Sequence, residues 1–155
     1  MTDKPRILIV EDDALTALFL QNLVTDMGCE VCGLASTGPR AVALADYHRP
    51  DLALVDVRLA KGTDGLAAAR QMRQELKLNV VIVSGWLGEL EGDDVIRDLP
   101  SIRKPFSAEQ VQAVLQRALD LPEEEPVRPV ARLRGGGRLR GVPSRGPSMP
   151  ALVAP

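Results

Sequence analysis

The chain has 155 residues, of which 45% are hydrophobic and only 3% aromatic, with a net charge of −2. This length favours one domain with an aliphatic core. The small net charge indicates neither a nucleic acid nor a membrane surface as the partner of the whole molecule. No apolar run approaches the roughly 20 residues that span a bilayer. The N-terminal stretch MTDKPRILIVEDD does not have the form of a secretory signal, so we expect a cytoplasmic protein.

Composition divides the chain into two regions. Residues 1–121 have the composition of a globular domain, whereas residues 122–155 contain seven prolines, five glycines and six arginines against three glutamates. The second region therefore carries a charge of +3, and the first a charge of −5. Because residues 122–155 cannot bury enough apolar surface to offset the entropy of ordering, we predict a disordered basic tail. Such a segment cannot form a DNA-binding domain.

Short aliphatic runs alternate with helical patterns along residues 1–121. This alternation predicts an α/β fold with a parallel sheet that is covered on both faces. In the first helix, apolar residues recur at helical spacing and predict its buried face: Leu15, Leu18, Phe19, Leu23, Val24 and Met27. The predicted strands are 6–10, 30–34, 52–55, 80–83 and 101–103; the predicted helices are 13–27, 38–47, 64–76, 88–98 and one that begins at Ser107 with a capping box.

The two cysteines, Cys29 and Cys32, form a CxxC spacing that is also seen in redox and metal sites. Here they lie in a strand-like segment, where residues three apart point to opposite faces. There is no second cysteine pair, and His48 is the only histidine. We therefore interpret both thiols as packing residues.

Polar residues follow four of the predicted strands at the point where each strand ends. In parallel sheets, ligands bind outside the carboxyl ends of the strands, so these side chains are expected to converge. They are Glu11, Asp12 and Asp13 after the first strand, Asp56 after the third, Ser84 after the fourth, and Lys104 with Pro105 after the fifth.

Carboxylates from two different strands repel each other unless a cation lies between them. Mg²⁺ prefers such oxygen ligands, so we predict a magnesium site at Glu11, Asp12 and Asp56, to which Arg58 could add its backbone carbonyl. For Asp13 we favour an N-cap of the first helix instead.

A carboxylate beside Mg²⁺ can accept a phosphoryl group as an acyl phosphate. The oxygens of that group could pair with the Ser84 hydroxyl and the Lys104 ammonium. Alone, Ser84 could be an ordinary loop serine and Lys104 a solvated lysine. Their joint placement at strand ends favours the phosphoryl site.

The motifs ILIVEDD, LALVDVRLAKGTDG, VVIVSGW and RKPF occur in this order, and over Arg6 to Leu121 the chain resembles the receiver domain of two-component response regulators. The resemblance implies a doubly wound, flavodoxin-like sheet of five strands in the order 2-1-3-4-5 with five helices. It implies Asp56 as phospho-acceptor, Asp12 as a direct Mg²⁺ ligand and Glu11 acting mostly through water. It further implies a backbone ligand from Arg58, a switch role for Ser84, and Lys104 followed by a cis bond to Pro105.

The sequence departs from the family pattern at three places. An aromatic switch residue often precedes the lysine by three positions, where this chain has Ser101. The loop AKGTDG is longer by one residue than usual. Trp86 and Arg58 occupy positions that flank the phosphorylation site, where they can tune loss of the phosphoryl group; Trp86 could equally cover apolar surface.

These observations predict a single-domain response regulator rather than an enzyme. It would accept a phosphoryl group on Asp56 from a sensor histidine kinase or a phosphotransfer protein, and then control a protein partner or a homodimer through the fourth helix, fifth strand and fifth helix. The alternative is nucleic-acid or anionic-surface binding by the basic tail. A hydrolase with an aspartate nucleophile is disfavoured, because Arg58 stands where such enzymes place a general acid.

Overall fold

A computed structural model describes residues 3–59, 64–85 and 87–120 of the chain. In this range, five strands alternate with five α-helices. The strands are β1 (Arg6–Val10), β2 (Glu30–Ala35), β3 (Leu52–Asp56), β4 (Asn79–Ser84) and β5 (Ser101–Arg103). The helices are α1 (Ala14–Asp26), α2 (Gly38–His48), α3 (Gly65–Gln74), α4 (Asp94–Arg97) and α5 (Ala108–Ala118), and a short 3-10 helix covers Leu87–Leu90.

The five strands form one parallel sheet in the order β2-β1-β3-β4-β5. This confirms the predicted α/β class and strand order. Side chains that alternate along the central strands enter two separate cores, one on each face of the sheet, which explains their continuous aliphatic sequences. One core contains residues of α2, α3 and α4, and the other contains residues of α1 and α5.

The predicted buried face of α1 is partly wrong. Leu20 and Val24 are the buried residues of this helix. Leu15 and Leu18 are 78% and 52% exposed, and Phe19 is 41% exposed. The sequence ALTALFLQNLV carries apolar residues on both sides of the helix, so more than one stripe satisfies helical spacing. Periodicity alone therefore could not select the face that packs against the sheet.

The predicted fourth helix, 88–98, is also wrong as a single element. The chain instead forms the 3-10 helix and then the one-turn helix α4. Glycine is unfavourable inside a helix, and Gly92 lies between the two pieces. The side chain of Asp93 then starts a new helix by accepting hydrogen bonds from the backbone N–H groups of Val95 and Ile96.

The two cysteines lie on opposite faces of the sheet, as predicted. Cys29 belongs to the core under α1 and α5, whereas Cys32 packs against the core under α2 and α3. Both are free thiols, and burial raises the pKa of each. A thiol with a raised pKa is a poor nucleophile and metal ligand at neutral pH, which agrees with packing roles.

Two helix starts follow the sequence predictions closely. Asp13 caps α1, since its carboxylate accepts a hydrogen bond from the backbone N–H of Thr16 at 2.9 Å. Ser107 and Gln110 form the reciprocal capping box of α5. The predicted tail, 122–155, lies outside the described residues, as does Trp86. No helix in the described ranges is both long and apolar enough to cross a membrane.

Helix α3 begins in close contact with the end of β3. The backbone N–H of Gly65 donates a hydrogen bond to the Val57 carbonyl at 3.2 Å. A side chain at position 65 has no space, because a Cβ atom there would overlap the Asp56 carbonyl oxygen and lie 2.7 Å from Cα of Val57. The absence of a side chain at Gly65 therefore allows α3 to start directly beside Asp56.

We expect Gly65→Ala to lower the free energy of unfolding by about 1–3 kcal/mol, because backbone must move to admit the methyl group. Urea unfolding monitored by circular dichroism measures this change. Gly92→Ala is the matched control, since a Cβ at position 92 would have no neighbour within 4 Å. Equal stability of the two variants would contradict the close approach.

Candidate functional site

The side chain of Asp56 is held in place from two sides at the carboxyl end of β3. Its Oδ1 accepts a hydrogen bond from the backbone N–H of Arg58 at 3.0 Å, and its Oδ2 accepts one from Nζ of Lys104 at 2.7 Å. Asp56 is only 5% exposed. These contacts fix the orientation of a carboxylate at the edge of the sheet.

Two further carboxylates lie beside Asp56. One oxygen from each of Glu11, Asp12 and Asp56 lies within 4.8 Å of the others. Glu11 and Asp56 are buried, whereas Asp12 is exposed. Asp13 is engaged elsewhere: the hydrogen bonds from the Thr16 side chain and backbone lower the pKa of its carboxyl group. The structure thus brings together the three acids predicted as metal ligands and directs Asp13 to the helix cap.

Lys104 supplies the positive charge of this cluster. Its Nζ lies 2.7 Å from Oδ2 of Asp56 and 3.3 Å from Oε1 of Glu11. Burial acts to lower the pKa of Lys104, but the hydrogen bond to Asp56 and the charges of both carboxylates outweigh it and raise the pKa. The lysine therefore remains an ammonium, and its peptide bond to Pro105 is cis.

Ser84 is fully buried at the end of β4. Asp56 pairs with Val83 in the β3–β4 register, so Ser84 follows the residue that faces Asp56. The Ser84 carbonyl accepts a hydrogen bond from the backbone N–H of Lys104 at 2.8 Å. The hydroxyl-bearing residue and the lysine are thus joined through the backbone next to the acidic cluster.

Glu11 is the most perturbed acid of the described residues. Burial raises its pKa from 4.5 to about 7, helped by the charge of Asp56 and opposed by the backbone hydrogen bond from Asp13 and the charge of Lys104. Its Oε1 is buried and accepts no hydrogen bond from the described residues, although the lysine ammonium lies nearby. A buried carboxylate oxygen without a hydrogen bond is energetically costly.

This arrangement fits a hard divalent cation. Among the described residues, three carboxylates meet one ammonium here, and their oxygens lie close enough together to share one ion. Such oxygen donors suit Mg²⁺, which commonly retains several waters. A cation here would also contact Oε1 of Glu11, and its positive charge would favour the ionised carboxylate and so oppose the effect of burial on the pKa.

Two further predicted site residues, Arg58 and Ser101, lie in the described part of the chain. Arg58 forms an isolated antiparallel bridge with Asp64, which links the two described ends of the loop between β3 and α3. Ser101 begins β5 and pairs with Ile82, so no aromatic side chain stands at this position. Residues 60–63 and Trp86 lie outside the described residues.

Sequence reasoning missed an apolar groove that adjoins the cluster. The groove has a volume of about 560 Å³ and runs between α1 and the loop from β5 to α5. Phe19 and Phe106 stack across it with ring centroids 5.9 Å apart. The available signal was the second apolar face of α1. The lining residues are Leu15, Thr16, Phe19, Lys104, Pro105 and Phe106.

Comparison with known proteins identifies the fold and its family. Residues 7–116 match the response regulator receiver domain. The chain belongs to this receiver family. Its members are typically phosphoacceptors rather than enzymes, and they generally bind Mg²⁺ through acidic residues.

Three similar proteins illustrate the relationship. The phyllosphere-induced regulator PhyR of Methylorubrum extorquens is 34% identical over 114 residues, which cover 73% of this chain and 43% of that protein. The chemotaxis protein CheY of Bacillus subtilis is 28% identical over 74% of this chain and 98% of its own length. The crystal structure of the anti-anti-sigma factor PhyR from Bartonella quintana superposes with a TM-score of 0.65 at 27% identity, covering 77% of this chain and 49% of that one. The receiver thus spans less than half of either PhyR protein.

The raised pKa of Glu11 makes stability depend on pH when no divalent cation is present. Because its pKa is about 7 in the folded chain and near 4.5 when unfolded, the folded state binds the proton more tightly. The stabilisation is complete below pH 4.5 and is lost as pH rises through about 7. We expect Glu11→Gln, which mimics the protonated form, to flatten this decline.

Urea unfolding in the presence of a chelator, measured from acid to slightly alkaline pH, tests this expectation. Glu30→Gln is the control, since Glu30 is exposed on β2. A wild-type profile as flat as that of Glu11→Gln would contradict the raised pKa.

Proposed function

We propose that this receiver accepts a phosphoryl group on Asp56 from the phosphohistidine of a sensor kinase or a phosphotransfer protein. The observation that carries the proposal is the buried Asp56 carboxylate, held by Lys104 within a cluster of acids. Burying a charged carboxylate is energetically unfavourable. Buried ionisable groups of this kind are often found at functional sites, where their reactivity is used. Glu11, Asp12 and Ser84 complete the groups that such a transfer requires.

In the transfer, an oxygen of Asp56 forms a bond to phosphorus while the P–N bond of phosphohistidine breaks. The electron pair returns to the imidazole nitrogen, which takes up a proton. Lys104 pairs with one phosphoryl oxygen and the Ser84 hydroxyl donates to another, so the added negative charge is met by groups already present. The backbone N–H of Arg58 keeps the carboxylate oriented throughout.

We further propose that Glu11, Asp12 and Asp56 hold Mg²⁺, with the Arg58 carbonyl as an additional ligand. When bound, the ion neutralises charge on the transferring phosphoryl group. Asp12, the exposed member of the cluster, is suited to bind the ion directly, while Glu11 acts through water.

The phosphorylated receiver would then control a protein partner by favouring one of two conformations. The chain is similar to PhyR from Bartonella quintana, which is an anti-anti-sigma factor. This similarity supports partner switching as the output. A homodimer through α4, β5 and α5 stays a prediction. Among the described residues, none of the large exposed apolar side chains lies on this face.

The apolar groove beside Lys104 is suited to receive the phosphate donor. Leu15 and Phe19 present apolar surface within the same groove that Lys104 lines. A donor helix with an apolar face could bury this surface and bring its phosphohistidine to Asp56. Small phosphodonors would not need the contact.

The alternative, nucleic-acid or anionic-surface binding, depends on residues 122–155, which lie outside the described residues. It stays a prediction. Salt-dependent binding that is lost on truncation after Leu121 would support it.

We expect acetyl phosphate with Mg²⁺ to label the wild type, and Asp56→Asn to remove the label, because the amide is not a nucleophile. Intact-protein mass spectrometry measures the added mass. Asp26→Asn, a change at the end of α1, is the control. Labelling that persists in Asp56→Asn would exclude this acceptor.

We expect Asp12→Asn to weaken Mg²⁺ binding about tenfold or more, because a direct ligand loses its charge. Asp13→Asn is the matched control, since asparagine preserves the helix cap. Isothermal titration calorimetry gives both affinities. Equal affinities would show that Asp12 is not a ligand.

We expect Leu15→Ser to slow phosphotransfer from a sensor kinase about tenfold without changing labelling by acetyl phosphate. Tyr47→Ser is the control, because Tyr47 is equally exposed on α2 at 82%. Radiolabelled transfer assays separate the two donors. A parallel loss with both donors would instead indicate damage to the site.

A further inference from the structure

Helix α4 has too few internal interactions to be stable alone. It contains four residues, Asp94–Arg97, and a single isolated turn is unstable in water. Capping by Asp93 and burial of Ile96 connect it to the rest of the fold. Asp93 Oδ1 accepts hydrogen bonds from the backbone N–H groups of Val95 at 2.9 Å and Ile96 at 3.1 Å, and the Ile96 side chain is fully buried. The order of α4 therefore depends on the position of Asp93.

Asp93 is itself held by α3. Its second carboxylate oxygen, Oδ2, forms an ion pair with the guanidinium of Arg70 on α3. The Asp93 side chain is 12% exposed and that of Arg70 is 50% exposed. Without Arg70, a nearly buried carboxylate would lose its counter-ion, which is unfavourable. The cap of α4 is thus oriented from another helix.

The first residue of α3 lies beside Asp56, whereas Arg70 lies in the middle of the helix. Gly65 packs against the Asp56 carbonyl and is hydrogen-bonded to Val57, and the preceding Asp64 is bridged to Arg58. Val57 and Ile96 also belong to the same apolar core. Gly65 and Arg70 belong to the same continuous helix of ten residues. We therefore expect a shift of its first residue to change the position of Arg70.

We propose that α3 transmits the state of Asp56 to α4, and that the Arg70–Asp93 ion pair is the coupling contact. This inference depends on the proposed phosphorylation of Asp56. It gives the chain a route to α4 that does not pass through an aromatic residue at position 101, where Ser101 stands. The responsive surface is residues 93–98, which carry the charged side chains Asp94, Arg97 and Asp98.

Hydrogen–deuterium exchange of residues 93–98, with and without Mg²⁺ and the phosphoryl analogue beryllofluoride, tests the proposal on the full chain. In the wild type we expect beryllofluoride to change exchange at Val95 and Ile96. In Arg70→Gln we expect the same amides to exchange about three- to tenfold faster at rest, and most of the response to beryllofluoride to be lost.

Arg97→Gln is the matched control, because the ion pairs of Arg97 among the described residues, with Asp94 and Asp98, lie within its own segment. It should keep the wild-type response. Asp93→Asn keeps the capping oxygen but removes the charge, so combining it with Arg70→Gln should add little to either single change.

Labelling by acetyl phosphate in the same variants separates the two proposals. If Arg70→Gln is labelled normally but α4 no longer responds, the coupling contact is established. If Arg70→Gln responds as Arg97→Gln does, the coupling is overturned while the phosphorylation stands. If the wild type takes no label and no beryllofluoride response appears, the proposed function fails first.

Discussion

The ion pair of Lys104 with two buried carboxylates is the interaction on which the site depends. Burying Glu11 and Asp56 together is unfavourable, and one ammonium at 2.7 and 3.3 Å compensates only part of their charge. The remaining negative charge can be neutralised in two ways, by a proton on Glu11 or by a cation bound among the acids. Burial is the main cause of the raised pKa of Glu11, and the uncompensated charge of Asp56 adds to it. The same excess of negative charge supports the proposed binding of a divalent ion. It also explains why the cluster must sit at the sheet edge, where ions and water have access.

The sheet order brings these groups together. Strand β1, which precedes Glu11, lies next to β3, which ends at Asp56. Lys104 directly follows β5 and reaches Asp56 past the end of β4, where its backbone N–H donates a hydrogen bond to the Ser84 carbonyl. No local segment contains the site. It arises because parallel strands end at one edge and crossover connections place distant residues side by side.

Much of this could be predicted from the sequence. Aliphatic runs gave the strands, and their polar ends indicated the acids, Ser84 and Lys104, because strand ends in a parallel sheet must meet. The helix caps at Asp13 and Ser107 could be predicted because capping depends on residues that are neighbours in the sequence. The core face of α1 could not be predicted, because apolar residues in ALTALFLQNLV lie on two faces of the helix. The break before α4 could not be predicted either, because the cap at Asp93 depends on a partner in α3. The space that Gly65 leaves beside Asp56 and the groove beside Lys104 likewise depend on tertiary contacts.

The stack of Phe19 on Phe106 has a thermodynamic consequence. Phe106 lies two residues after Lys104, so a partner that covers this stack also contacts the segment that carries the lysine. Suppose that such a partner binds more tightly when Lys104 occupies one of two positions. Binding of the partner must then favour that position of Lys104 by the same free energy. A group that draws Lys104 toward itself must then change the affinity of the partner by the same factor. Release of the donor would therefore be thermodynamically coupled to the position that Lys104 takes after the phosphoryl group is accepted.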